Sequence, residues 1–251
     1  MTDTSVLTEL VRMSLNLAKP ENEYVILGEG NTSAKVDENT FFVKQTGAYL
    51  SESRPEIFVE IRTKDVLDMF ECGELSDVEI KDRLGAARVN QNAPRPSIET
   101  LFHAYLLSLP NVNFVGHTHP IAVNTLLCSN AAEDIIKSRI FPDEIVYCGI
   151  KPVFMPYVDP GVTLAKAVQK AVVKFMDEEG VIPKVVLMQN HGFIALGATA
   201  KEVEAITAMY VKTARVLAGA YVLGGVHYLS DSNIERIYTR PDEAYRKQNL
   251  H

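Results

Sequence analysis

Val112-Asn113-Phe114-Val115-Gly116-His117-Thr118-His119-Pro120 is the stretch from which the rest of this chain can be read. Val112 to Thr118 is apolar and β-branched enough to be extended, and in a strand residues i and i+2 face the same way, about 6.6 Å apart. His117 and His119 therefore share a face. Pro120 can occupy the first turn of a helix running to Leu127, which puts His119 at a strand-to-helix junction. Further on, Val185 to Gln189 reads as a buried strand and Phe193 to Leu196 as another. Between them Asn190-His191-Gly192 is a tight turn or bulge that presents a side chain at a strand end.

Two imidazoles on one face can grip a zinc ion with Zn–N bonds of about 2.0–2.1 Å, and His191 is the natural third ligand from a distant segment. The fourth corner of the tetrahedron then stays open for water or substrate. Taken alone, His-x-His fits histidines with structural hydrogen bonds as well as it fits a metal site. The set of three carries more, because the chain has only six histidines.

Upstream, Pro96-Ser97-Ile98-Glu99 leads into a run of helix formers from Ile98 to Leu109, ended by Pro110. Ser97 is a good N-cap, which places Glu99 in the first helical turn. There a carboxylate is favoured by the helix dipole, so Glu99 reads either as an acid/base or as a surface glutamate that helps the helix start. His103, four residues on, shares its face and can hydrogen-bond Glu99 or pack in the core. Gly28-Glu29-Gly30-Asn31 is a turn in which glycine and asparagine tolerate positive φ. Its N–H groups can line an anion nest, or it can be a hairpin turn with no ligand. Thr46-Gly47 is equally open, with Lys44 just before it either adding charge or facing solvent. Arg95 borders the same region and is either an anion contact or an exposed loop arginine.

Gly30-Asn31-Thr32-Ser33, Thr46-Gly47-Ala48-Tyr49-Leu50, Pro96-Ser97-Ile98-Glu99, His117-Thr118-His119-Pro120 and Asn190-His191-Gly192 follow one another in the order found in the class II aldolase/adducin family. From about its first helix to about Leu223 the sequence resembles that family, and as an ordered set the motifs are specific. The resemblance implies that His117, His119 and His191 hold Zn2+ or another divalent first-row ion. Glu99 is then the acid/base, and Gly30, Asn31, Thr46, Gly47 and Ser97 belong to the loops that hold a substrate phosphate. It further implies reversible retro-aldol cleavage of a ketose, such as a fuculose- or rhamnulose-type ketose 1-phosphate, through a metal-stabilised enediolate. A homotetramer with sites between subunits is also implied. The alternatives within the family are a sugar-phosphate 4-epimerase, a dehydratase, and a non-catalytic adducin-like interaction module. Adducin-type members lose metal ligands, whereas all of them are present here. One departure stands out: the fuculose-phosphate type has a second serine just before the glutamate, and this chain has Ile98, which cannot donate a hydrogen bond to phosphate.

A chain of 251 residues, 47% hydrophobic, can bury a sizeable core, and no composition shift divides it. The expectation is one class II aldolase/adducin-type domain over 1–251 with a C-terminal tail from about 227. Net charge of −7 and a pI near 5.4 argue against nucleic acid as a partner, which normally needs a basic face. No apolar run is long enough to span a bilayer and Met1 to Thr8 lacks a signal-peptide pattern, so no membrane partner and a cytoplasmic location are expected. Cys72, Cys128 and Cys148 are odd in number and widely spaced, which reads as buried thiols rather than a disulfide scaffold.

Helical and extended patterns interleave along the chain. Helices are expected over Ser5 to Leu17, Thr63 to Phe70, Ser76 to Asn90, Val162 to Glu178 and, from a Thr199/Glu202 capping box, to about Leu223. Strands are expected at Tyr24 to Leu27, Ser33 to Val36, Thr40 to Lys44, Ile57 to Ile61 and Val153 to Tyr157. Strands linked by tight turns make the sheet largely antiparallel within an α/β mix. The resemblance agrees, implying a three-layer α/β/α fold about a central sheet. In the tail, Ser230-Asp231-Ser232 can cap a helix through Tyr238; the resemblance implies that a C-terminal segment or a neighbouring subunit completes the site, for which Tyr228, Tyr238 and Tyr245 are candidates by position only, each equally readable as a packing or surface residue, and His227 has no assigned role. A tyrosine that protonates the leaving aldehyde's alkoxide is implied by the mechanism and is not identified.

Overall fold

The computed structural model describes residues 3–73 and 75–241. Its first half runs α1 (Asp3–Leu17), β1 (Asn31–Lys35), β2 (Thr40–Lys44), β3 (Phe58–Arg62), α2 (Thr63–Leu67), α3 (Asp77–Ala86), α4 (Thr100–Leu107), β4 (Phe114–Thr118) and α5 (Ile121–Leu127). The second half runs α6 (Ala132–Ile136), α7 (Pro142–Cys148), β5 (Val153–Met155), α8 (Val162–Glu179), β6 (Val185–Met188), β7 (Gly192–Gly197), α9 (Ala200–Val222) and α10 (Asp231–Thr239).

The strands form one seven-stranded sheet in the order β3-β2-β1-β4-β7-β6-β5. Every pair is antiparallel except β5 with β6, so the largely antiparallel expectation holds. Side chains alternate across it with the period of two that a pleated strand imposes. Val43, Val59, Val115, Val186 and Ile194 pack under α4 and α8. Phe42, Phe58, Phe114, Val185, Leu187 and Phe193 pack under α1, α5 and α9. Helices cover both faces, giving the three-layer α/β/α arrangement. Central β4 is buried along its whole length.

Several local expectations are corrected, each for a physical reason. Tyr24 to Leu27 is not a strand: Leu27 sits at φ 56° and the Glu29 carboxylate takes the Ile26 N–H at 2.8 Å, which closes a turn. The helix expected from Ile98 begins at Thr100, because the Ser97 carbonyl and hydroxyl bind the N–H groups of Thr100 and Glu99. Glu99 therefore stands at the N-cap position rather than in the first turn. The helix expected to reach Asn90 stops at Ala86, since Arg88 bridges to Ile61 at the sheet edge. Phe114, not Val112, opens β4, after Asn111 turns the chain at φ 57°. Pro120 caps α5 from outside, and the Val153 strand ends at Met155 before Pro156. At Thr199 only half the capping box forms: its hydroxyl takes the Glu202 N–H, while the Glu202 carboxylate takes the Ala198 N–H. Cys148 is buried, but Cys128 is exposed and Cys72 half-buried, which corrects the reading of three buried thiols. Ser230 caps α10 as expected, and Tyr245 lies outside the described residues.

Behind the sheet, Arg139 is fully buried with its Nη1 donating to Glu144 Oε1 at 2.7 Å. Its other nitrogens donate to the carbonyls of Cys148 and Gly149, and Glu144 Oε2 takes the Ile140 N–H. This network ties the α6–α7 connection to the end of α7. Truncating Glu144 strands a buried guanidinium, so Glu144→Ala is expected to cost about 3–5 kcal/mol in urea unfolding. A loss under about 1 kcal/mol would contradict that account.

Candidate active site

The site sits where β4 ends and the β6–β7 turn folds over it. β4 pairs with β1 so that Asn31 lies opposite His117, and with β7 so that Thr118 lies opposite Phe193. Asn190, at φ 54°, makes the turn that carries His191, and Asn124 of α5 donates to the His191 carbonyl at 3.1 Å. The chain beyond β4 is held by the His119 N–H donating to the Tyr24 carbonyl at 2.9 Å. These elements bring the three histidines together: one ring nitrogen of each lies within 4.8 Å of the others.

The donor set suits a metal ion. His117 Nδ1 donates to the Phe193 carbonyl at 3.0 Å, which leaves the Nε2 lone pair facing the His119 Nε2, also 3.0 Å away. Two nitrogens on one tetrahedral zinc lie about 3.3 Å apart, so a shift of a few tenths of an ångström would seat an ion. Burial pushes His117 below the ordinary imidazole range and His119 down to about 3, which keeps both rings in the neutral form a metal requires.

Glu99 reaches the same point from the other side. Its Oε1 is 3.2 Å from His191 Nε2 and its Oε2 3.6 Å from His117 Nε2. Burial works against its charge, but attraction to His117 and His191 whenever either ring carries a proton, together with hydrogen bonds from His191 and the Asn31 amide, outweighs it and holds the carboxyl well below the usual carboxylate range. An ionised carboxylate beside three convergent imidazoles can move a proton at a substrate atom held between them.

The loop residues also converge, with corrections. Ser97 N–H donates to the Lys44 carbonyl and Thr46 N–H to the Arg95 carbonyl, joining the 44–47 and 95–97 segments. Gly30 adopts φ 68°, and a Cβ there would lie 2.6 Å from the His117 carbonyl oxygen. Its glycine thus lets β1 close on β4. The Asn31 side chain points inward, donating to Glu99 Oε2 at 2.5 Å, rather than lining an open loop. Gly47, at φ 74°, has no neighbour within 4 Å of a Cβ position. Thr46, Arg95 and Ile98 line a cleft of about 380 Å³ with Lys81 and Asp77. Ile98 also packs against the core, which accounts for an apolar residue there.

Lys44 does not face solvent. It is 2% exposed, and its Nζ donates to the Ala48 carbonyl at 2.6 Å. Burial holds its ammonium below the ordinary lysine range. Alternation with Phe42 was the signal that could have turned it inward. Ser33 was missed as well, although it lies two residues from Asn31 on one strand face, and so was Glu29, 4.0 Å from His119 Nδ1. His103 is buried against Phe102, with ring centroids 4.7 Å apart, and its ring meets Ser33 and Asn31 rather than the Glu99 carboxylate.

Gly192 is a tight point: a Cβ there would stand 2.7 Å from His119 Cδ2 and 2.8 Å from the Thr118 carbonyl oxygen. Gly192→Ala is expected to displace His119, weaken zinc binding at least tenfold in chelator competition and cost about 1–3 kcal/mol of stability. Unchanged zinc affinity would contradict the packing. The buried histidines also set a pH dependence. His103, like His119, has a folded pKa of about 3 against 6.5 for the ordinary group. Between those values the unfolded chain takes up protons that the folded chain refuses, so stability is full above pH 6.5 and falls as pH drops. Each group contributes about 1.4 kcal/mol per pH unit. Urea unfolding of the metal-free protein should show this decline from pH 6.5 to 5, and a flat profile would refute it.

The family described as Class II Aldolase and Adducin N-terminal domain matches residues 8–218. An uncharacterized oxidoreductase of Bacillus subtilis, YuxG, is 32% identical over 201 residues, 77% of this chain but only 27% of YuxG, so the chain spans about a quarter of that relative. The 3-oxo-tetronate 4-phosphate decarboxylase of Haemophilus influenzae is 24% identical over 88% of this chain and 90% of its own length. Among solved structures, an L-fuculose 1-phosphate aldolase superposes with a TM-score of 0.71 over 98% of both chains at 18% identity, a likeness of fold. With more than half its length matched, this chain belongs to the class II aldolase and adducin family.

Proposed function

We propose that this protein is a zinc-dependent aldolase that cleaves a ketose reversibly, acting on a ketose 1-phosphate of the fuculose or rhamnulose type. The observation that carries the reading is the convergence of three imidazole nitrogens beside the Glu99 carboxylate, which is held in its charged form. His117, His119 and His191 would hold the ion, which when bound supplies Lewis-acid polarisation of the substrate carbonyl. Glu99 moves the proton at the carbon that gains the electron pair of the broken carbon–carbon bond. Asn31 keeps one carboxylate oxygen hydrogen-bonded while the other stays near the histidines. The Gly30–Asn31, Thr46–Gly47 and Ser97 segments border the substrate, with Lys44 and Arg95 as nearby cations. The fold shared with an L-fuculose 1-phosphate aldolase supports this choice.

A second reading, decarboxylation of a phosphorylated keto acid, is favoured by the match along nearly the whole length of the H. influenzae decarboxylase. It uses the same polarised carbonyl, with carbon dioxide leaving in place of an aldehyde. The family's 4-epimerases and dehydratases draw on related chemistry. Part of the same proposal is that residues 1–251 act as one domain in a cytoplasmic homotetramer. Among the described residues no helix is long and apolar enough to cross a membrane, and Val222 and Leu223 leave an apolar end on α9, 88% and 89% exposed.

Incubating the zinc-loaded protein with phosphorylated and unphosphorylated ketoses should release an aldehyde and a smaller ketone, and chelation should abolish this. His119→Ala should lose both metal and turnover. Glu99→Gln should keep metal and lose at least a hundredfold in kcat, in keeping with a positioned acid/base. Carbon dioxide release from a keto acid, with no ketose cleaved, would replace the aldolase by the decarboxylase. A fully active Glu99→Gln would remove Glu99 from proton transfer.

A further inference from the structure

We propose that His103, acting through Asn31, fixes the aim of the Glu99 carboxylate, which makes it a positioning residue for the reaction proposed above; the inference rests on that reading. An unbroken line of hydrogen bonds carries it. Ser33 Oγ meets His103 Nδ1 at 2.7 Å, His103 Nε2 meets Asn31 Oδ1, and Asn31 Nδ2 donates to Glu99 Oε2 at 2.5 Å. Ser33 and Asn31 stand two residues apart on β1, on the face toward α4, and His103 comes from α4 itself.

Each bond determines the next. An ionised carboxylate only accepts, so Asn31 must turn its NH₂ group to Glu99. Its oxygen then faces His103, and only a proton on Nε2 satisfies it. Nδ1 is left with its lone pair, which takes the Ser33 hydroxyl proton. His103 has no exposure to solvent, so no water competes for either nitrogen. Without the ring, the Asn31 oxygen loses its donor and is left buried and unpaired, and the amide, held by Glu99 alone, is free to tilt and carry the carboxylate with it.

The consequence lies at Glu99. Its two oxygens are divided: Oε1 is near His191 Nε2, while Oε2, 3.6 Å from His117 Nε2, is tied to Asn31. The tie fixes Oε2 on the Asn31 amide, so the carboxylate presents Oε1 to the point where the imidazoles converge. Ser33 and His103 serve to orient one amide.

Two measurements test this. In ¹⁵N–¹H spectra of the histidine-labelled metal-free protein, His103 should be a neutral ring protonated on Nε2, with an unprotonated Nδ1. The opposite tautomer overturns the relay even if aldol cleavage is found, and the expected one stands even if no ketose is cleaved. In kinetics of the zinc-loaded enzyme, His103→Leu should lower kcat at least tenfold, with KM and zinc affinity within threefold of the parent. His103→Gln, which can place an N–H where Nε2 stood, should recover most of that loss. A His103→Leu enzyme with full kcat, a parallel loss of zinc, or a His103→Gln enzyme no better than His103→Leu would each overturn the proposal. Should His103→Leu fail to fold, the tautomer decides.

Discussion

The antiparallel pairing of β4 with β1 on one side and β7 on the other is the constraint on which the structure depends. It sets Asn31 opposite His117 and Phe193 opposite Thr118. It also aims the Phe193 carbonyl at His117 Nδ1, so that the free lone pair turns toward His119. In a sheet a slip of one residue sends every side chain to the other face. Here that slip would put His117 on the face of Phe42 and Phe193, among apolar side chains that give an imidazole no partner. The core thus enforces the register, and the register assembles the site.

Glycines and positive-φ residues mark where backbone must come close for this to work. Gly30 lets β1 approach the His117 carbonyl, and Gly192 leaves room for the rings of His117 and His119. Asn190 turns the β6–β7 connection so that His191 closes over the end of β4. The cost is a concentration of polar groups in a dry interior. It is offset by partners: a backbone carbonyl for His117, Ser33 and Asn31 for His103, and Asn31 for Glu99. Burial keeps His117 and His119 neutral, which leaves lone pairs free for the dication proposed above, since burial penalises each added charge.

What was legible in the sequence were features whose signal is local. The i, i+2 spacing of His117 and His119, the turn at Asn190-His191-Gly192 and the extended run Thr40 to Lys44 each follow from a few neighbouring residues. The line from Ser33 to Glu99 was not legible, because it joins β1 to α4 across about seventy residues and depends on which way an asparagine amide points. Lys44 stayed undecided between a nearby charge and a solvent-facing residue for a related reason: a lysine at a strand end snorkels or buries according to what the following loop covers it with, and that is tertiary. The start of α4 shifted by two residues since Ser97 bonded the turn instead of capping the helix, which moved Glu99 to the N-cap and aimed it at the histidines. The motifs located the site, and packing decided which side chains face it.

The central claim is that the β4–β7 register builds a three-imidazole metal centre. X-ray absorption on protein loaded with one equivalent of zinc tests it most directly, together with the His119→Ala and His191→Ala variants. The account predicts three nitrogen donors at about 2.0–2.1 Å with the remaining position filled by oxygen, and loss of that signature in both variants. Zinc bound with fewer nitrogens, or held equally well after either substitution, would contradict it.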